Sequence, residues 1–356
     1  MKGRRVVFTA PGAVEVQAFD VPRPAPMEIL VKTEVSLISP GTEGASLLAL
    51  PNTGTEFPQF PGYCNVGRVL DVGAEVEGIR AGDRITSHGA HASHVLIQSV
   101  PDPNIRRGTL STLDPSAPTQ ALRRAVLVPD GLDSETVAFA VLCAISLQGI
   151  RKARIELGES VLVIGQGLVG ILAAQFARLE GGFPVIAADL SASRLSISRT
   201  VGADHTVLAG SDGTGVVEQV RHLTGEDGAR AVIETTGAPE PVITAFKAAG
   251  WHGRVVLLAS TRGVTERVNF YADVHRKALT ILGAHNSARP VKDASPGFWP
   301  LNADLKLSLD LMMAGRLEIE PLMTKRLPFE EAAEAYRFVT EQRRDALGIL
   351  LDWEPA

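Results

Sequence analysis

VLVIGQGLVGILAAQFARLEG, residues 161–181, decides the fold. Four apolar residues lead into Gly165-Gln166-Gly167-Leu168-Val169-Gly170, and a helix-forming run follows directly. A strand that turns through G-x-G-x-x-G into a helix makes a dinucleotide cradle. Its glycines permit the tight turn, the approach of a pyrophosphate to the main chain, and close helix–strand packing. The helix N-terminus adds unpaired N–H groups and the positive end of its dipole. The motif alone is a weak signal, and a Gly-rich turn that binds nothing is its plain alternative. Asp189 strengthens it by ending the next apolar run, where a carboxylate takes the adenosine ribose hydroxyls.

Outward from the cradle the texture alternates. PVIAADL (184–190), HTVLAG (205–210), ARAVIETTG (229–237), GRVVLLAS (253–260) and KALTILGAH (277–285) read as strands. SASRLSISRTVG (191–202), VVEQVRHLTG (216–225) and PVITAFKAAG (241–250) read as the helices between them. Apolar strands alternating with helices predict an α/β unit with a parallel sheet covered on both faces. Residues 1–100 differ: RRVVFTA (4–10), MEILVKTEVSLI (27–38), GRVLDVG (67–73), DRITS (83–87) and HASHVLIQ (91–98) are short strands with Gly/Pro punctuation. They predict a small antiparallel barrel or sandwich. Residues 99–125 are polar with four prolines and read as a long loop. Residues 303–315 and 328–342 read as helices, the second opened by Pro328 with Glu330 and Glu331 in its first turn.

The 356 residues suggest two domains, and a formal charge of −5 (35 Lys+Arg, 40 Asp+Glu) disfavours nucleic-acid binding. Two cysteines, Cys64 and Cys143, build neither a disulfide framework nor a four-cysteine zinc site. The N-terminus has no secretory apolar core, and the longest apolar stretch, placed near 161–174, falls short of the ~20 residues that span a bilayer. A cytoplasmic protein is expected, with neither a nucleic-acid nor a membrane partner.

Taken whole, the chain resembles the medium-chain dehydrogenase/reductase family. MEILVKTEVSLI, PGYCNVGRVLDVGAEVEGIRAGDRI (61–85) and HASHVLIQ are similar to its GroES-like barrel. GESVLVIGQGLVG (158–170) is similar to its nucleotide-binding turn, and LMTKRLPFEEAAEAYRFV (322–339) to its C-terminal helix. The resemblance implies a Rossmann domain over 145–287 and a discontinuous GroES-like catalytic domain over 1–144 and 288–356. It implies hydride transfer between NAD(H) and a secondary alcohol or its ketone, with sugars, polyols and cyclitols in range. The expected cofactor site comprises Gly165, Gln166, Gly167, Leu168, Val169, Gly170, Asp189, Arg194, Thr235, Thr236 and Gly237. Arg194 is expected over or near the adenine; an Arg there can also accommodate an NADP 2′-phosphate.

Zinc members of the family hold the metal with a Cys, a His in a PGHE-like block and a later Cys. Here the first position is Ser39 or Pro40, the block reads Pro61-Gly62-Tyr63-Cys64, and only Cys143 lies near the third. One ligand of three does not hold catalytic zinc. SLISPGTE (36–43), PGYCNVG (61–67) and LCAISLQGI (142–150) resemble a zinc-lacking branch that includes bacteriochlorophyllide hydroxyethyl dehydrogenase-like proteins and sugar-linked dehydrogenase modules. His88, His91 and His94 are spaced by three, which on a strand sends successive side chains to opposite faces, against a metal site. Ordinary strand histidines, or His91 alone facing the substrate cleft, remain.

Without zinc, the developing alkoxide needs side-chain donors. The candidates are Tyr63, His91, Glu43 and Thr42. Their plain alternatives are a core filler for Tyr63, a turn cap for Thr42 and an arginine's partner for Glu43. An NADPH-dependent enoyl or quinone reductase is the competing enzyme, opposed by the charge of Asp189. A nucleotide-binding protein without turnover is the non-enzymatic alternative. KALTILGAH, last in the parallel series, is an apolar sheet edge that predicts a homodimer or larger homo-oligomer.

Overall fold

The computed structural model describes residues 1–98, 125–210, 213, 215–290 and 294–354. Nearly all of the loop expected over 99–125 lies outside them. The first seven strands are β1 (Lys2–Ala10), β2 (Ala13–Asp20), β3 (Glu28–Ile38), β4 (Asn65–Val72), β5 (Arg84–Ser87), β6 (His94–Gln98) and β7 (Ala125–Leu127). Six more follow: β8 (Val161–Ile164), β9 (Val185–Asp189), β10 (His205–Leu208), β11 (Ala229–Glu234), β12 (Ala249–Leu257) and β13 (Thr280–Gly283). The last two are β14 (Met323–Pro328) and β15 (Gly348–Asp352).

β8 to β13 form one parallel sheet in the order β10-β9-β8-β11-β12-β13. The order reverses between β8 and β11, which opens the crevice at the strand C-termini where such sheets take dinucleotides. β8 reads Val-Leu-Val-Ile and is buried throughout, as a strand covered on both faces must be. The second sheet is antiparallel-rich, in the order β14-β15-β3-β4-β5-β7, with β6 also pairing β3. β15 runs antiparallel to β3, so the C-terminal segment completes a sheet begun by the N-terminal one.

Two expectations are corrected here and one is refined. AVEVQAFD, unassigned in the sequence, is β2, and it pairs with β1 in a hairpin turned by Pro11-Gly12, Gly12 holding φ +77°. Pro328 is also the last residue of β14, since Met323–Pro328 alternates in burial and pairs with β15 up to Pro328–Asp352. It N-caps a 3-10 turn, Phe329–Glu331, that carries both glutamates into the α-helix. The helix itself starts at Ala332. The longest apolar helical run is not 161–174 but Ser134–Ala153, which is long and apolar enough to cross a membrane yet 83% buried inside the fold.

Nine α-helices occur among the described residues: α1 (Pro40–Leu47), α2 (Ser134–Val137), α3 (Ala140–Ala153), α4 (Leu168–Leu179), α5 (Ala192–Val201), α6 (Val216–Leu223), α7 (Glu240–Ala248), α8 (Leu301–Met313) and α9 (Ala332–Glu341). α3 packs against α4 and α8 and carries the core from one sheet to the other: Leu37 and Val66 share its apolar cluster with Val163 and Ile171. Fully buried Asp304 on α8 binds Arg151 of α3 at 2.8 Å and Arg289 at 2.6 Å. Both charges are thereby matched where an unpaired carboxylate would be costly.

Candidate active site

At the cradle each glycine has a different task. Gly165 turns the chain with φ +92°, and a Cβ there would lie 2.9 Å from Thr236 Cγ2. A Cβ on Gly170 would fall 1.8 Å from the Gly165 carbonyl oxygen, so α4 approaches β8 only because that atom is missing. A Cβ on Gly167 would meet nothing nearer than Arg194 Nη1 at 3.9 Å, which leaves the open face a phosphate needs. Leu168 and Val169 begin α4 and present the N-terminal turn. Gln166 is buried: its side chain donates to the Val163 carbonyl at 2.9 Å and accepts from Ser198 Oγ at 2.9 Å. It therefore shapes the cradle and offers the cofactor only backbone.

Asp189 ends β9 beside this turn, accepting N–H bonds from Gln166 at 2.5 Å and Ser191 at 2.8 Å. Arg194 lies across from it, with Nε and Nη2 engaged elsewhere and Nη1 toward Gly167. Nε donates to the Arg344 carbonyl at 2.9 Å, and Nη2 to the carbonyls of Ala346, at 3.0 Å, and Arg343. Thr235 Oγ1 ties β11 to the cradle through the carbonyls of Ile164 (2.8 Å) and Gly165 (2.6 Å). Thr236 is held by the buried Glu234 carboxylate, and the Gly237 carbonyl receives the Arg262 N–H at 2.9 Å. Burial holds the Glu234 carboxyl above its usual range.

On the antiparallel side, Ser39 is the N-cap position of α1 without a side-chain cap bond, and the Glu43 carboxylate accepts the Ser39 N–H at 2.8 Å, satisfying one donor at the helix start. Tyr63 is half-buried next to this turn. Burial, with Cys64 and Glu43 nearby, raises its phenol pKa, while hydrogen bonds with Ser39 and Thr42 oppose the rise. Tyr63 thus holds its proton at neutral pH and is poised as a donor.

His91 is not in the cleft. It is fully buried, with Nδ1 2.7 Å from Ser36 Oγ and Nε2 2.9 Å from Glu43 Oε2. Trp353 Nε1 donates to Ser36 Oγ at 2.8 Å, and the Tyr336 hydroxyl donates to the Glu43 carboxylate. His91 and Glu43 therefore anchor α1 and α9 to the sheet, and Glu43 stands behind Tyr63 rather than in front of it. His91 cannot face a substrate because both ring nitrogens are spent on buried partners. The histidine beside Tyr63 is His88, with ring centroids 6.2 Å apart. His88 and His91 lie in the turn between β5 and β6, and only His94 is on a strand, so the strand alternation expected for the three histidines does not apply to this pair.

At the positions where the family resemblance places zinc ligands this chain has Ser39, Tyr63 and Cys143. Cys64 and Cys143 are both fully buried in the apolar core, and burial pushes both thiols up, toward the protonated form that does not ligate metal. Among the described residues no three His, Cys, Asp or Glu converge. Ser39, Tyr63 and Cys143 do not fit a catalytic zinc.

Residues 169–300 match the family described as zinc-binding dehydrogenase. That match covers the nucleotide-cradle part of the chain, and the similarity beyond it is to dehydrogenases at about a quarter identity. D-guloside 3-dehydrogenase of Escherichia coli K12 is 25% identical over 81% of the chain and 76% of its own length. Human sorbitol dehydrogenase is 24% identical over 99% of the chain and 96% of its own length. Among solved structures, galactitol-1-phosphate dehydrogenase from Escherichia coli superposes with a TM-score of 0.80 at 21% identity, covering 98% of this chain and 99% of that one. A Sinorhizobium meliloti putative zinc-binding dehydrogenase bound to NADP superposes at 0.77 with 24% identity, covering 99% of each chain. These relatives and solved neighbours are dehydrogenases, and the fold they share with this chain is the one expected from the cradle.

Two residues where the two sheets' loops meet were invisible in the sequence. Arg262 lies in a loop without motif, and Asn52 sits in PNTG, which reads as a plain turn. The loops around them meet across the two units, with Arg262 Nη1 donating to the Asn52 carbonyl at 3.0 Å.

Proposed function

We propose that the protein is a zinc-independent, NAD-preferring dehydrogenase of secondary alcohols in the polyol or sugar class, with Tyr63 meeting the substrate oxygen. The carrying observation is Tyr63 itself. A phenol stands where related enzymes place a metal ligand, bonded to Ser39 and Thr42 and holding its proton. Bound NAD supplies the hydride chemistry. In the reducing direction the Tyr63 hydroxyl donates its proton to the nascent alkoxide. In the oxidising direction the alcohol proton leaves through the same oxygen, with His88 alongside as the relay toward solvent. Thr42, exposed on the first turn of α1, orients the phenol.

NAD preference is supported by charge and by occupancy. A 2′-phosphate would meet the Asp189 carboxylate, and Arg194 spends Nε and Nη2 on the carbonyls of residues 343, 344 and 346, which leaves Nη1 alone on the cradle side. The relatives' substrates, sorbitol and a guloside, support a polyhydroxylated ligand. The test is titration with NADH and NADPH, elemental analysis of protein purified without added metal, and a screen of polyols, sugars, simple alcohols and enones. NADH is expected to bind tighter, zinc to be substoichiometric, and a polyol to turn over. Tighter NADPH binding with enone turnover would replace this reading with the reductase.

A further inference from the structure

Arg262 leaves the C-terminal end of the parallel sheet, beyond β12, with its N–H on the Gly237 carbonyl at 2.9 Å. Its neighbours lean on the other unit: Asn52 Nδ2 donates to the Thr261 carbonyl at 2.7 Å and reaches that of Gly263 at 3.5 Å. Arg262 Nη1 returns a bond to the Asn52 carbonyl at 3.0 Å. Asn52 adopts φ +60°, a left-handed conformation suited to Asn, which turns both its groups toward this loop. The guanidinium is thereby fixed between the two units, half-buried and facing the Tyr63 side.

Among the described residues no carboxylate pairs with Arg262. Arg151 is matched by Asp304 and Arg254 by Glu159, whereas the Arg262 guanidinium donates to a carbonyl. One backbone carbonyl uses one of five guanidinium N–H donors, and burial lowers the pKa of a cation left uncompensated. A partly desolvated charge without a counter-ion costs stability, and a fold that retains one beside a reactive group uses it.

We propose that Arg262 is a specificity-determining residue that receives an oxyanion, phosphate or carboxylate, carried by the substrate. This rests on the reading that Tyr63 meets the reacting oxygen, because it sets the anion at the far side of the hydroxyl being oxidised. The substrate class narrows to polyol or sugar derivatives bearing a phosphate ester or an acid group.

The test uses the protein saturated with NADH, so that the cradle is filled, titrated by calorimetry with inorganic phosphate and with malonate. Wild type is expected to bind at least one of them, phosphate pointing to a phosphate ester and malonate to a carboxylate. Arg262→Gln should weaken that binding at least about tenfold, and Arg262→Lys should retain part of it, with NADH affinity changed less than about twofold in both. Absence of anion binding in wild type, or unchanged binding in Arg262→Gln, overturns the proposal. A parallel loss of NADH affinity overturns it too, assigning Arg262 to the cofactor. Failure of NADH to bind wild type would instead sink the dehydrogenase reading, and the same titration of unliganded protein would still decide Arg262. Should Arg262→Gln fail to fold, Arg262→Lys decides, because a lysine keeps the charge but loses the bidentate fork.

Discussion

Tyr63 and His91 separate chemistry from support at the level of single residues. Tyr63→Phe removes only a hydroxyl that bonds Ser39 and Thr42. It is expected to lower the catalytic rate tens-fold or more while leaving NADH affinity intact, since a positioned acid–base group contributes about 10²–10⁴-fold. Steady-state kinetics with calorimetric NADH binding checks this, and near-wild-type turnover would reduce Tyr63 to packing. His91→Ala leaves the Glu43 carboxylate and Ser36 short of a buried partner. Its expected signature is a lower melting temperature, because an unsatisfied buried group costs about 1–3 kcal/mol, more when charged. Turnover per folded molecule should survive; its abolition with the fold intact would return His91 to the chemistry.

The cradle shows what an element demands that a motif only names. Gly170→Ala would press a methyl against the Gly165 carbonyl at 1.8 Å, so α4 must move off β8. Loss of NADH binding together with a drop in thermal stability is expected. Gly167→Ala meets open space, Arg194 Nη1 being 3.9 Å away. That variant should fold with wild-type stability and bind NADH at least about tenfold weaker, the methyl occupying the phosphate's approach. Calorimetry and thermal melts on the pair settle the assignment: equal stability loss in both would mean that the open face at Gly167 is not a ligand surface.

Two expectations belong to the whole molecule. Burial raises the pKa values of Tyr63, Cys64, Cys143 and Tyr336. The folded protein thus keeps protons that the unfolded chain releases near pH 8.5 for thiols and 10 for phenols. Their stabilisation is full below about pH 8.5 and is lost as pH rises above it. Melting temperatures should fall steadily from pH 8.5 to 10.5, and replacing both cysteines by Ala should flatten the early part of that slope. β13 ends the parallel sheet with no strand beyond it, and its Ile281 is exposed. We propose that a second copy pairs there; light scattering at micromolar concentration should show at least a dimer, and a monomer would reject it.

The order of elements was legible because apolar periodicity and glycine placement are local: VLVIGQGLVG announces strand, turn and helix to any reader of ten residues. The cradle and Asp189 follow from such spacing, whereas the interest of Tyr63 came from the family resemblance of PGYC. β2 was missed although its partner is the neighbouring strand. β14 and β15 were not legible, since they pair with each other 24 to 25 positions apart and β15 pairs with β3 more than 300 positions away. Burial of His91 against Ser36 and Glu43, residues 55 and 48 positions distant, was likewise a tertiary outcome. So was the placing of Arg262 beside Asn52, 210 positions away, which only the meeting of two loops produced. A sequence records each residue's preference for water or apolar surroundings. Which of its polar groups spend their hydrogen bonds inside the fold, and which are left for a ligand, is settled only when distant segments pack.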